Sequence, residues 1–479
     1  MPNLMPVLPE IVILTAASLI LIVDLFVADS RKYITYWLTQ LALLVAACVT
    51  VRTSQLDVVK AFHNMVVDDM LADFLRLACF IAVSLMLFYS RTYLTARGLF
   101  RGETFVLTLF ALLGMQVMVS GNNFLTLYLG LELLSLSLYA MVALERDHPG
   151  APEAAMKYFV LGALASGMLL YGMSMIYGAT GSLDIDLVAR SVLGKDANGL
   201  LLTFGLVFVV SGIAFKLGAA PYHMWVPDVY QGAPTAVTLL IGTAPKLAAF
   251  ALTLRLLSGA LQGTAFDWQG MLIVLSLLSM VIGNLIAISQ SNIKRMLAYS
   301  TIANMGFMLL GVLAADLNGY SAAMFYTIAY VFTSVASFGM VMLLSRAGFE
   351  AEALDDFKGL NQRSPWWALM MLLVMFSLAG LPPTIGFYAK FSVIQAAINA
   401  GFVWLAVVAV GTSLVGAFYY LRVVKLMYFD DPVDRSPLDT RADTRVLLST
   451  NGVLLLVLGV LPQPLMEICM FALAQSHFL

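Results

Sequence analysis

Val207 to Pro234 reads Val-Phe-Val-Val-Ser-Gly-Ile-Ala-Phe-Lys-Leu-Gly-Ala-Ala-Pro-Tyr-His-Met-Trp-Val-Pro-Asp-Val-Tyr-Gln-Gly-Ala-Pro. A helix-length apolar run carries one lysine, Lys216, and is then broken by Gly218-Ala219-Ala220-Pro221. Proline removes an intrahelical hydrogen bond. A broken helix survives in a bilayer only where protein or water takes up the freed backbone groups. A charge at mid-bilayer costs about 2.5–3.5 kcal/mol on insertion scales and marks a functional position by default.

The rest of the chain supplies that bilayer context. Of 479 residues, 61% are hydrophobic and 11% charged, and the mean hydropathy is +0.91. A soluble domain runs nearer 45–50% apolar and about 25% charged. The composition is that of an integral membrane protein. Met1 to Glu10 holds no Lys or Arg, and no small-x-small cleavage site follows Phe26, so the first apolar run reads as a retained helix. The net charge of −2 provides no basic field for nucleic acid. Cys48, Cys79 and Cys469 lie in apolar stretches with no metal or disulfide spacing.

At roughly 20 apolar residues per crossing, the chain offers fourteen spans. They lie at about 8–27, 33–51, 70–89, 103–120, 122–144, 152–178, 200–230, 233–257, 268–289, 295–313, 319–345, 365–396, 402–428 and 446–472. The expected fold is therefore an all-α polytopic membrane protein forming one transmembrane domain over 1–479. Alternate loops, counted with the adjoining span ends, carry 17 and 5 of the Lys and Arg residues, which by the positive-inside rule puts both termini outside. Arg190, Lys195 and Arg255 are among the five. Four basic residues remain inside spans: Arg76, Lys216, Lys246 and Lys390.

Arg76 is near enough to a span end to snorkel to the interface. The three lysines lie deeper, and Glu132, in Leu129-Gly130-Leu131-Glu132, is acidic in the middle of the fifth span. One structural ion pair would account for Glu132 and a single lysine, not for three. A second break, Gly380-Leu381-Pro382-Pro383, lies five spans after the first and just before Lys390. Two broken helices with nearby lysines suggest inverted repeats with ion sites between them. The expected division is about 103–257 and about 268–428, broken at helices 7 and 12, with 1–90 and 446–472 flanking.

Lysine suits proton transfer rather than metal binding, because burial disfavours its charged form and a nearby carboxylate restores it. His223 and Asp228 lie past the first break and can feed protons inward; equally, Asp228 can simply anchor a loop. Thr384 and Tyr388 carry hydroxyls that can hold water near Lys390. His63, His148 and His477 fall in loops or at the terminus. No GxGxxG, Walker motif or haem-like histidine pair occurs.

At these residues the chain resembles the antiporter-like membrane subunits of respiratory complex I. The likeness rests on Val207 to Pro234, on Ser289-Gln290-Ser291-Asn292-Ile293-Lys294-Arg295-Met296-Leu297-Ala298-Tyr299-Ser300, and on Leu378-Ala379-Gly380-Leu381-Pro382-Pro383-Thr384-Ile385-Gly386-Phe387. Lys390 sets the chain apart from the family branch with glutamate there. The resemblance implies fourteen helices, two five-helix inverted repeats, and proton transfer through Glu132, Lys216, Lys246 and Lys390. It implies no cofactor in this chain, with NADH, FMN, iron–sulfur clusters and quinone in partner subunits. It further implies neighbouring membrane subunits and a bacterial inner membrane as setting. Asn304 stands where many relatives carry histidine, so Asn304, Tyr299 or water would have to conduct there. The function so implied is that of a proton-translocating subunit of a redox-driven NADH:quinone oxidoreductase. The alternative is a subunit of a cation/proton antiporter.

Overall fold

The structure is a computed structural model that describes residues 3–194, 197–346, 348–436, 438 and 440–476. Lys195 and His477 lie outside the described residues. Helices α1 (Leu8–Asp24), α2 (Tyr33–Thr53), α3 (Met70–Ala96), α4 (Gly102–Ser120), α5 (Phe124–Val142) and α6 (Gly150–Thr180) run back and forth. A short α7 (Ile185–Leu193) precedes α8 (Gly199–Leu217), α9 (Trp225–Gly232), α10 (Thr235–Gly242) and α11 (Ala244–Thr253). Next come α12 (Ala265–Ile288), α13 (Ile293–Leu313), α14 (Leu317–Leu344), α15 (Leu360–Arg363), α16 (Pro365–Ala379), α17 (Ile385–Asn399), α18 (Val403–Phe429), α19 (Ala442–Val460) and α20 (Gln463–Gln475). Between α2 and α3, β1 (Val59–Ala61) pairs antiparallel with β2 (Val66–Asp68).

Among the described residues, 13 helices are long and apolar enough to cross a membrane. The stretch expected as the twelfth span is divided between α16 and α17, and the seventh ends at Leu217, where α9 follows as a separate piece. Short polar connectors start the helices: Asp69, Asn123, Asn198, Asn292 and Asp316 each accept a hydrogen bond from a backbone N–H in the first turn, the usual work of an N-cap.

Two faces result. The hairpin face gathers β1–β2, which bridges to Gly121 through Val66, and the Asn123–Asp184 bridge. The opposite face is crossed by residues 349–357, whose Leu354 N–H reaches Ser291 O and whose Glu352 O accepts from Ile293 N–H. We term this segment the strap. Helix α13 is enclosed by its neighbours along nearly its whole length, whereas only 28% of the apolar window of α19 is buried.

Lipid tails compete equally for apolar side chains, so close helix packing depends on small residues. A Cβ on Gly114 of α4 would stand 2.5 Å from Leu134 N of α5. One on Gly283 of α12 would stand 2.6 Å from Ala303 N of α13, and one on Gly172 of α6 would stand 2.8 Å from Gly205 O of α8. These three contacts hold the three most intimate helix pairs.

The two breaks are built alike. Gly218 (φ 79°) ends α8 and Gly380 (φ 80°) ends α16, both left-handed. In each, the next residue folds back onto the carbonyl five positions earlier, Ala219 N–H to Ala214 O and Leu381 N–H to Phe376 O, closing a Schellman motif. Past the first break, Ala220 N–H donates to Ser279 Oγ of α12 at 2.8 Å. Past the second, α19 brings Gly459 so close that a Cβ there would lie 2.2 Å from Pro383 O.

Two basic residues depart from the sequence reading. Arg76 does not snorkel; it is 1% exposed and bonded to carboxylates. Arg255, counted with the outer loop as a residue near a span end, lies in Leu254–Ala260, a π-helical continuation of α11, and is buried against Asp69 rather than solvated.

Two outcomes follow from these contacts. Gly459→Ala should destabilise the protein by about 1–3 kcal/mol through overpacking, read as a lower melting temperature of the purified assembly. Ser279→Ala should orphan a buried N–H and cost about 1–3 kcal/mol, whereas Ser279→Thr, which keeps the hydroxyl, should recover most of it.

Candidate functional site: lysines at two helix breaks

In the first break, Lys216 occupies the last turn of α8 and its Nζ donates to Ser135 Oγ of α5 at 2.8 Å. Glu132 sits one turn before Ser135, half-buried, with Oε1 lacking any hydrogen-bond partner. A direct Glu132–Lys216 ion pair, the simplest expectation, is not formed; the serine holds the ammonium instead. Lys246, in the first turn of α11 and 1% exposed, donates to Leu217 O at 3.0 Å and Lys216 O at 3.4 Å.

Every carbonyl at the end of α8 is thereby engaged. Ala214 O accepts from Ala219 N–H, and Phe215 O accepts from Gly218 N–H and from the Trp225 indole. The last two take Lys246. A helix C-terminus carries about half a negative charge, so the ammonium answers both the hydrogen-bonding need and the field. Lys216 and Lys246 line one cavity of about 30 Å³ with Ser135, Tyr158 and Trp225, enough for about two water molecules.

The second break repeats the arrangement with a different residue. Lys390, on α17, donates to Ala379 O at the end of α16 at 2.9 Å and to Ser413 Oγ of α18 at 3.1 Å. The face of Phe307 lies 4.9 Å from its Nζ. Thus Lys246 and Lys390 are alike in their contacts, each seated on an open half-helix end, while Lys216 bonds a serine alone.

A narrow cavity of about 10 Å³ joins Lys390 to Asn304, Tyr326, Tyr330, Thr333 and Ser377. Asn304 Oδ1 accepts from Tyr326 OH at 2.6 Å, and its Nδ2 donates to Ser300 O at 2.8 Å. Tyr330 OH donates to Thr301 Oγ1 at 2.7 Å, and Thr333 and Ser377 share a hydrogen bond. Tyr299 is half-buried, and its hydroxyl makes no hydrogen bond among the described residues. Thr384 and Tyr388 do not line this cavity. Thr384 Oγ1 donates to Leu381 O, and Tyr388 packs edge-on against Phe325; both hydroxyl-bearing positions face the break backbone or the packing layer.

His223 lies within the first break, 7% exposed, with Nδ1 unpartnered. Asp228 is pinned, bonded to Arg295 at 2.7 Å and Lys157 at 3.0 Å. Asp228, Arg295 and Lys157, with His148 and Gln231, border a cleft of about 210 Å³ on the strap face, and His223 is not in its lining. Nearby, Lys294 donates to Ala233 O at 2.8 Å and Glu352 Oε1 at 2.9 Å, and Glu350 accepts from Tyr93, Arg97 and Thr235. The strap thus ties the start of α10 to α3 and α13.

Ser135, Ser413, Tyr326 and the strap glutamates had no signal in the sequence. A serine or tyrosine in an apolar run reads as ordinary packing until a lysine is found against it. Glutamates in a loop read as solvated.

Comparison with known proteins is consistent across the whole length. The family described as NADH:quinone oxidoreductase/Mrp antiporter, TM, matches residues 121–416. NADH-quinone oxidoreductase subunit N of Thiobacillus denitrificans is 60% identical over 474 residues, covering 98% of each chain. A chain of respiratory complex I from Thermus thermophilus superposes with a TM-score of 0.82 at 32% identity, covering 96% of this chain and 99% of its own. A chain of the Mrp complex from Dietzia sp. shares the fold, with a TM-score of 0.83 at 22% identity, over 98% of this chain and 96% of its own. The chain belongs to the NADH:quinone oxidoreductase/Mrp antiporter membrane family, among the relatives of NADH-quinone oxidoreductase subunit N.

Proposed function

We propose that this chain is a proton-translocating membrane subunit of a redox-driven NADH:quinone oxidoreductase, with Glu132, Lys216, Lys246 and Lys390 as its proton-transfer residues. The observation that carries the reading is the seating of two buried ammonium groups on the open carbonyl ends of α8 and α16. An ammonium there is hydrogen-bonded without being locked to a carboxylate. It can therefore lose its proton when a competing positive charge arrives, and regain it when that charge leaves.

The steps follow from the contacts. Protons reach the first break from the strap face past His223, through the cleft bordered by Asp228. Glu132, with its unpartnered oxygen, draws Lys216 from Ser135 when loading is favoured. Lys216 passes the proton through the shared cavity to Lys246. In the second half, Asn304 cannot titrate, so it conducts by reorienting with Tyr326 and water rather than by holding charge. Tyr299 takes no part. Lys390 is the last carrier before the hairpin side.

In this reading the inverted repeats are about 103–257 and about 268–428, and 1–90 and 446–472 flank them. The strap face, rich in Lys and Arg, is cytoplasmic, so both termini lie outside a bacterial inner membrane. NADH, FMN, iron–sulfur clusters and quinone belong to partner subunits, and other membrane subunits flank this one in the bilayer. A cation/proton antiporter subunit is the second reading, favoured only by the fold shared with the Mrp complex. Copurification with flavin- and iron–sulfur-bearing proteins separates the two.

Lys390→Ala should lower quinone reduction and proton uptake together, several-fold, in vesicles where the complex still assembles. Lys390→Arg should fail equally, because guanidinium does not deprotonate in proteins; full pumping by that variant would reduce Lys390 to a fixed charge. For Glu132→Ala and Lys216→Ala, a double-mutant cycle on pumping should give a coupling of about 0.5–3 kcal/mol. Simple additivity would rule out their acting as a unit.

A further inference from the structure

On the hairpin face, three carboxylates crowd one guanidinium. Arg76 of α3 donates to Glu10 Oε1 of α1 at 2.7 Å, to Asp68 Oδ1 of β2 at 2.5 Å and to Asp73 Oδ1 at 3.1 Å. Its remaining bond goes to Pro6 O at 3.0 Å. All four side chains are at least nine-tenths buried. With every acid ionised, the cluster would carry two uncompensated negative charges beside an apolar interior. The adjacent pair offers no relief, since Arg255 is already bonded fork-on to Asp69, at 2.6 and 2.9 Å.

Independent observations point to what balances it. Glu10 Oε2 is buried with no hydrogen-bond partner, while Asp73 is also faced by the Ser54 hydroxyl. Ser120 Oγ of α4 donates to Glu10 Oε1 at 3.0 Å. One turn deeper on the same helix face, Gln116 is fully buried with neither amide atom bonded. A bare carboxylate oxygen in such a place is costly, whereas a protonated carboxyl becomes a donor and needs only an acceptor. Among the described residues no group of acids is arranged to hold a metal ion.

We propose that the Glu10–Asp68–Asp73–Arg76 cluster is a proton-binding site on the hairpin face, holding one exchangeable proton, with Ser120 and Gln116 as its inner wall. Asp68 lies in the hairpin, outside the spans. Burial pushes its carboxyl up to about 7, with Asp73 and Glu10 adding to the rise and Arg76 opposing it. Because the folded value lies above the ordinary carboxylate value of about 3.9, the folded chain binds the extra proton between the two. The stability it contributes is lost as pH rises through about 7. The site stands apart from the lysine line, so its failure would leave the proposed function untouched.

The test is pH-difference infrared spectroscopy of the intact complex in lipid nanodiscs, in H₂O and D₂O. The expected result is a protonated-carboxyl C=O band, shifted in D₂O, that disappears as pH rises through about 7 and is missing in Asp68→Asn. Glu10→Gln removes a competing charge and should lower the midpoint of that titration. Should Asp68→Asn not assemble, the wild-type titration and the Glu10→Gln shift decide alone. The proposal is overturned by a wild-type complex with no such band between about pH 5 and 9. It is equally overturned if the band is unchanged in the variants, or if sodium chloride in place of choline chloride removes it, which would make the ligand a metal cation.

Discussion

An open helix end inside a bilayer is the constraint on which the structure turns. Each break leaves carbonyls with no following amide, and lipid cannot supply a donor. The chain answers with an ammonium, Lys246 at the end of α8 and Lys390 at the end of α16. The rest is arranged so that this can happen. Left-handed glycines turn the chain at Gly218 and Gly380, Ser279 takes the freed Ala220 N–H, and α19 presents Gly459 where any side chain would strike the second break. Solving the backbone problem also produces the chemistry, because the partner chosen is a group that can gain and lose a proton.

The placement of charges separates structure from function. At both faces basic groups are matched to acids: Arg255 to Asp69, Lys294 to Glu352, and Arg295 and Lys157 to Asp228. Such pairs are costly to break and serve to hold helices together. In the interior Lys216, Lys246 and Lys390 bond only to serines and carbonyls. A mid-bilayer charge costs about 2.5–3.5 kcal/mol, and without a counter-ion that cost is only partly offset. That lack of a counter-ion is what the proposed proton-transfer role requires of these lysines, and it sets them apart from the paired charges at the two faces.

The strap gives α3, α10 and α13 a common anchor. Glu350 and Glu352 lie between α14 and α16, yet they bind Thr235 at the start of α10, Arg97 at the end of α3 and Lys294 of α13. Movement of the start of α10 relative to α13 therefore pulls on the strap, whose Glu350 is bonded to Thr235 and whose Glu352 is bonded to Lys294. That is a mechanical link on the strap face, close to the cleft at Asp228.

The sequence by itself determined the membrane class, the all-helical fold, both breaks and the four ionisable groups inside the apolar stretches, Glu132, Lys216, Lys246 and Lys390. Apolar run length, proline and charge are local signals, and the bilayer makes each of them costly enough to stand out. Only the tertiary structure decided what each group touches. It put Ser135 where Glu132 was expected, seated Lys246 and Lys390 alike on half-helix carbonyl ends, bonded Asn304 to Tyr326, and drew Arg76 into a carboxylate cluster instead of the interface. These are contacts between residues tens to hundreds of positions apart, and hydroxyls and loop acids acquire meaning only from the neighbour that packing brings to them.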